Sequence, residues 1–173
     1  MRTPNKFGGG AATNRHGLEF ERSTELRDAF VAHERYRLRG DTVIDRATDL
    51  VVGTLFEKHK LYKNLLAAHG IDYRQLISKQ LLPDGALLVG GTLYVIEKKF
   101  QAGSGSVDEK LQTCHFKKRQ YERLMAPLGY QVRYYYLLSE WFQRPEYRDV
   151  LEYIEEVGCG YYFRELPLVA LGL

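Results

Sequence analysis

Cysteine is scarce in this chain. Its 173 residues hold only Cys114 and Cys159, too few for a disulfide framework and in keeping with a reducing cytoplasm, where a thiol ordinarily has a buried apolar role. No apolar run approaches the about 20 residues of a membrane-spanning helix, so a soluble protein with no membrane partner is expected. The opening stretch Met1 to Thr13 has a Lys, an Arg and three consecutive glycines, but no apolar centre of a signal peptide. Residues 1–16 read as a flexible arm and 17–173 as one domain. The five histidines, His16, His33, His59, His69 and His115, show no metal-ligand spacing, and the neighbours Cys114 and His115 point apart on a helix, so zinc is not indicated. Neither a phosphate-binding loop ending in Gly-Lys-Ser/Thr nor a dinucleotide fingerprint occurs, which removes the sequence argument for ATP or NAD. Charge of one sign is lacking too. Lys and Arg number 25 against 22 Asp and Glu, for a net charge of +3. That balance permits a nucleic-acid partner without demanding one.

What is present is an apolar fraction of 45% with 13% aromatics, patterned as a single α/β domain. Helical spacing is read over Gly17 to Arg35 and over Thr42 to His69, where Val43, Ala47, Leu50, Val51, Leu55, Tyr62, Leu65 and Leu66 recur, Gly53 divides the run and Gly70 stops it. A strand from Leu82 to Val89, a Gly90-Gly91 turn and a strand from Thr92 to Gln101 make a hairpin. A helix over Ser106 to Ala126 opens on a capping-box pattern and ends before Pro127. Gln131 to Ser139 is a β-branched and aromatic strand. Glu146 to Val157 is a helix with Gly158 beyond its end, and Cys159 to Leu166 a last strand. The tyrosines at 134 to 136 and at 161 and 162 read as core. Trp141-Phe142, if exposed, would serve as a dimer contact.

The chemistry gathers on the hairpin. Pro83-Asp84 stands at the start of its first strand, and twelve residues separate Asp84 from Glu97 in Glu97-Lys98-Lys99 on the second. Alternation puts Leu93, Val95, Glu97, Lys99 and Gln101 on one face and Tyr94, Ile96, Lys98 and Phe100 on the other. Two carboxylates and a lysine at adjoining strand ends are what metal-dependent phosphodiester cleavage needs: oxygen ligands for a hard cation, and a positive group beside the attacking water. Taken singly, the parts have plainer readings. Pro-Asp-Gly is an ordinary turn sequence, and Glu97 with Lys99 is an ion pair on a strand. A basic stretch follows, Lys98, Lys99, Lys110, Lys117, Lys118, Arg119 and Arg123, suited to a phosphate backbone or to the solvated face of a helix.

These residues, Pro83, Asp84, Glu97 and Lys99 with Glu21 in Gly17-Leu18-Glu19-Phe20-Glu21, resemble the motif of the PD-(D/E)xK nuclease superfamily, and within it the type II restriction endonucleases. The resemblance spans about residues 17 to 166, although its specific motif is four residues. It implies a restriction-endonuclease-like mixed β-sheet of four to five strands, with the catalytic hairpin, flanked by α-helices. It also implies a Mg²⁺-dependent (Mn²⁺ substituting) endonuclease acting on double-stranded DNA. Asp84 and Glu97 would be metal ligands together with the Lys98 carbonyl, Lys99 would stand against the attacking water and phosphate, and Glu21 would be the helix carboxylate near the metal, with Glu25 competing for that place. Gln101 would support water or phosphate from one layer out. Ser104 and Ser106 would lie in a loop approaching a DNA groove, and Lys110, Gln112, Lys117, Lys118 and Gln120 would contact DNA from the following helix. A cytoplasmic homodimer cutting both strands of a symmetric site, with a companion methyltransferase, completes this expectation. A structure-specific or repair nuclease of the same fold, and a DNA-binding module without turnover, are the alternatives.

Overall fold

The computed structural model describes Phe20, residues 25–102 and residues 107–173. Its frame is a seven-stranded mixed sheet whose strands lie side by side in chain order. They are β1 (Tyr36–Arg39), β2 (Thr42–Asp45), β3 (Val51–Leu55), β4 (Gly85–Val89), β5 (Thr92–Lys99), β6 (Gln131–Leu138) and β7 (Gly160–Phe163). Each strand from β1 to β4 runs antiparallel to the next. β5, β6 and β7 are parallel, and the crossovers between them are helical, as parallel pairing requires. Helix α1 (Leu26–Ala32) precedes the sheet, α2 (Val107–Leu111) and α3 (Cys114–Met125) join β5 to β6, and α4 (Arg148–Glu156) joins β6 to β7.

The α/β class is as expected, but the sheet has seven strands where the sequence reading gave four to five. The difference lies in β1, between the two stretches expected as helices, and in β2 and β3, within the stretch expected as a helix from Thr42. Thr42-Val43-Ile44 and Val51-Val52 are β-branched runs whose side chains fit a pleated surface better than a helix. Between them the Asp45 carboxylate accepts hydrogen bonds from the backbone N–H of Ala47 (2.9 Å) and Thr48 (3.3 Å), a turn that ends any helix. Apolar residues three and four apart mimicked helical spacing across that turn. Gly53, read as a break between helical pieces, instead lets β3 approach β4: a Cβ there would stand 3.0 Å from the Leu88 carbonyl oxygen and 3.0 Å from Val89 Cγ2. Only the end of the run is helical, as a π-helical segment Leu61–Leu66 and a 3-10 turn Ala67–His69, closed by Gly70 at φ 70°. The hairpin turn at Gly90 and Gly91 has φ 53° and 78°, the left-handed pair a two-residue connection needs.

The sheet buries both faces. Ala86, Leu93, Val95, Tyr134, Tyr136 and Leu138 pack under Leu61–Leu66, α3 and α4. Leu87, Ile96 and Leu137 pack on the other side with Phe30 of α1, Tyr36, Leu55 and Leu171. This alternation along β5 carries the site, because its apolar rungs end at Ile96 and the next three side chains are charged. Phe142 is fully buried and the Trp141 indole donates to the Tyr147 hydroxyl at 2.8 Å, so these two do not form the exposed pair that would have served as a dimer contact.

Candidate active site

Asp84 and Glu97 are brought together by strand register. Gly85 pairs with Ile96 as the last rung of the β4–β5 ladder. Asp84 immediately precedes that rung on one side and Glu97 immediately follows it on the other, so the two acids stand at adjoining strand ends. Asp84 is exposed, and its Oδ2 accepts a hydrogen bond of 2.8 Å from the backbone N–H of Lys98. That bond ties the carboxylate to the strand that bears the second acid.

Glu97 is buried, with 6% of its surface exposed, and it is compensated by two ammonium groups on one oxygen. Lys99 Nζ lies 3.0 Å from Glu97 Oε2 and Lys117 Nζ lies 2.9 Å from the same atom. Lys99 Nζ also donates to the Lys98 carbonyl oxygen at 3.0 Å. A buried carboxylate without such partners would be strongly disfavoured. Beneath it, fully buried Tyr121 and nearly buried Tyr134 have their phenols pushed up, first by burial and then, directly for Tyr134 and Tyr121 alike, by the negative charge of Glu97. The acid therefore sits over an aromatic floor. Tyr136, whose hydroxyl donates to the Lys110 carbonyl oxygen at 3.1 Å, presents its ring 6.0 Å from Lys99 Nζ.

Lys98 goes the other way, as alternation requires. Its buried ammonium meets Glu25 Oε1 at 3.3 Å in a cleft of about 360 Å³ on the α1 side, also lined by Glu57, Asp84 and Arg164. Glu25, the competitor for the helix-carboxylate role, is thus paired across the sheet from Glu97 and Lys99. Glu21, Ser104 and Ser106 lie outside the described residues.

The basic stretch does not form one face. Lys117 is drawn into the carboxylate site. Lys118 Nζ donates to the Gly158 carbonyl oxygen at 3.0 Å and stands 3.7 Å from Glu122. Lys110 and Gln112 are exposed at the α2–α3 junction, and Gln120 is half-buried. Gln101 is 5% exposed, its backbone N–H donating to Ser139 Oγ at 3.2 Å, so it belongs to the junction of β5 with β6. The role of Lys117 at Glu97 was not read from the sequence, although a signal existed: Cys114, Lys117, Tyr121 and Leu124 fall three and four apart on α3, placing a lysine within an apolar stripe.

A divalent cation fits the oxygens present. Glu97 Oε2 and the Lys98 carbonyl oxygen already converge on one cation, the Lys99 ammonium, at 3.0 Å each, and Asp84, just before β4, is tied to the same strand through the Lys98 N–H. Carboxylate and carbonyl oxygens are the donor set that Mg²⁺ takes. Among the described residues no group of three or more His, Cys, Asp or Glu side chains clusters as a metal cage, so such a cation would be held by two carboxylates, a carbonyl and solvent. The chain matches no family model, no curated protein and no solved structure.

Proposed function

We propose that this protein is a Mg²⁺-dependent endonuclease that hydrolyses phosphodiester bonds of double-stranded DNA, of restriction type. The observation that carries the reading is the convergence of Glu97 Oε2 and the Lys98 carbonyl oxygen on a positive charge, with the Asp84 carboxylate bound to the Lys98 N–H beside them. Asp84, Glu97 and the Lys98 carbonyl would hold the Mg²⁺, which supplies Lewis-acid polarisation of the phosphoryl oxygen and a more acidic bound water. Lys99 holds its ammonium at the end of β5, where it orients the attacking water and offsets charge building on a non-bridging phosphate oxygen. Tyr121, Tyr134 and Val95 close the floor beneath Glu97, which excludes water from below and strengthens each charge interaction above. One such centre per chain cuts one strand, so double-strand cleavage at a symmetric site calls for a homodimer, and self-protection calls for a companion methyltransferase.

Digestion of methylation-free phage DNA by the purified protein tests this. Discrete fragments that require Mg²⁺, are absent in EDTA and vanish in Glu97→Ala are expected. Smearing would move the protein to a structure-specific or nonspecific nuclease. Binding with no cutting by the folded wild-type protein would overturn the reading.

A further inference from the structure

Arg144 is held in place by an aromatic ring and not by a carboxylate. Its guanidinium carbon lies over the Trp141 ring, 3.4 Å from the ring centre. The nearest acid among the described residues is Glu146 at 3.8 Å, beyond hydrogen-bond reach. Arg35, Arg74 and Arg148, by contrast, hold carboxylates at 2.9, 2.8 and 3.0 Å. The platform under Arg144 is itself fixed. The Trp141 indole N–H donates to the Tyr147 hydroxyl, and buried Tyr147 packs on Phe142 with ring centres 5.1 Å apart. Arg144 sits between the 3-10 turns Glu140–Gln143 and Pro145–Tyr147, its extended backbone favoured by the proline that follows. A planar fork of five N–H donors is thus oriented in advance with no acceptor among the described residues.

Its place in the fold says what it can receive. Trp141 and Arg144 line a groove of about 520 Å³ at the carboxyl ends of the three parallel strands, with Ala102 beyond β5, Ser139 beyond β6 and Arg164 beyond β7. Such strand ends are where open α/β sheets take ligands. The groove begins just past Lys99, the last residue of β5. Of the three charged residues that line it, Glu140 and Arg164 pair with one another. Arg144 is left as the uncompensated charge, so the groove suits an anion.

We propose that this groove is a phosphodiester site: Arg144, lying on Trp141, holds a backbone phosphate of the DNA strand next to the scissile one. The choice of DNA as ligand rests on the nuclease reading, and the contact lies outside the carboxylate site. A guanidinium already ordered by stacking loses little freedom when its fork meets two phosphate oxygens. Because a phosphodiester presents the same oxygens whatever its base, the contact positions the strand and carries no sequence information.

Trp141 is the single tryptophan of the chain, so tryptophan emission reports on this groove. The test titrates a short DNA duplex into the protein in Ca²⁺, following Trp141 emission and, with a labelled duplex, anisotropy; circular dichroism confirms the fold of each variant. Wild-type emission should change in step with anisotropy and stay unchanged with inorganic phosphate. Arg144→Gln should lower the salt slope of binding by about one and weaken unrelated duplexes by the same factor. Arg133→Gln, the same charge change near the opposite end of β6, should keep the wild-type slope. Unmoved Trp141 emission on a bound duplex, an unchanged slope in Arg144→Gln, or an equal fall in both variants would overturn the proposal while leaving the nuclease reading standing. The same saturating change with inorganic phosphate would overturn the assignment to DNA. The expected emission and slope without cleavage by folded wild-type protein in Mg²⁺ would keep the phosphate site and refute the nuclease reading. Absence of DNA binding by the folded protein would refute both.

Discussion

Lys99→Met and Lys117→Met should be strongly non-additive in stability. Both ammonium groups contact the same oxygen of a buried carboxylate, at 3.0 and 2.9 Å. Removing either leaves Glu97 with the other, and relieves repulsion between two neighbouring cations. Each single change is therefore expected to cost no more than about 1 kcal/mol, the range of a partly exposed ion pair. Removing both leaves a carboxylate that is 7% exposed without a compensating charge, for which about 3 kcal/mol is expected. The coupling energy is then about 1 to 2 kcal/mol, well above the few tenths seen for independent sites. Urea unfolding in EDTA, which keeps cations from substituting for the lysines, measures all four corners of the cycle. Single variants that each cost as much as half the double variant would show that Glu97 is not shared, and would remove the structural basis for placing Lys117 in the site.

Gly53→Ala should lower the thermal midpoint, because the new Cβ would stand 3.0 Å from a carbonyl oxygen of β4 and backbone must give; a loss of about 2 kcal/mol is expected, and an unchanged melting curve would contradict the close approach of β3 to β4. Asp41 has its carboxyl held below the usual range, first by its hydrogen bond from Lys60, with Arg27 adding to it against the opposing effect of burial. A depressed folded value means the contribution is complete above the unfolded carboxyl value of about 3.9 and is lost as pH falls through the folded value. Urea midpoints measured from pH 6 downward should therefore fall more steeply below about pH 4 in wild type than in Asp41→Asn, and parallel curves would refute this account.

The parts of the fold that were legible in the sequence are those where local chemistry and tertiary demand agree. Gly90-Gly91 between two apolar runs fixed a hairpin because both residues adopt positive φ, and the alternation along β5 correctly separated Glu97 and Lys99 from Lys98. Gly70 and Gly158 end helical segments in the left-handed conformation, as expected. The region from Thr42 to Leu55 was misread because a strand, a tight turn and another strand placed apolar residues at helical intervals, and the turn's own signal, the Asp45 carboxylate accepting from Ala47 and Thr48, resides in a single short side chain. Lys117 was assigned to DNA by the sign of its charge, yet a charge on an apolar helix stripe is steered by what lies beneath it. Here that is Glu97, contributed by a strand that only the β5–α3 packing brings near.

Nicking of supercoiled plasmid by wild type, Asp84→Asn, Glu97→Gln and Lys99→Met, with DNA binding measured in parallel, tests the central claim most directly. Mg²⁺-dependent nicking by wild type, reduced about 100-fold or more in each variant while DNA binding persists, is the predicted result. Wild-type rates in any of the three folded variants, or no nicking by folded wild-type protein in Mg²⁺ or Mn²⁺, would contradict it.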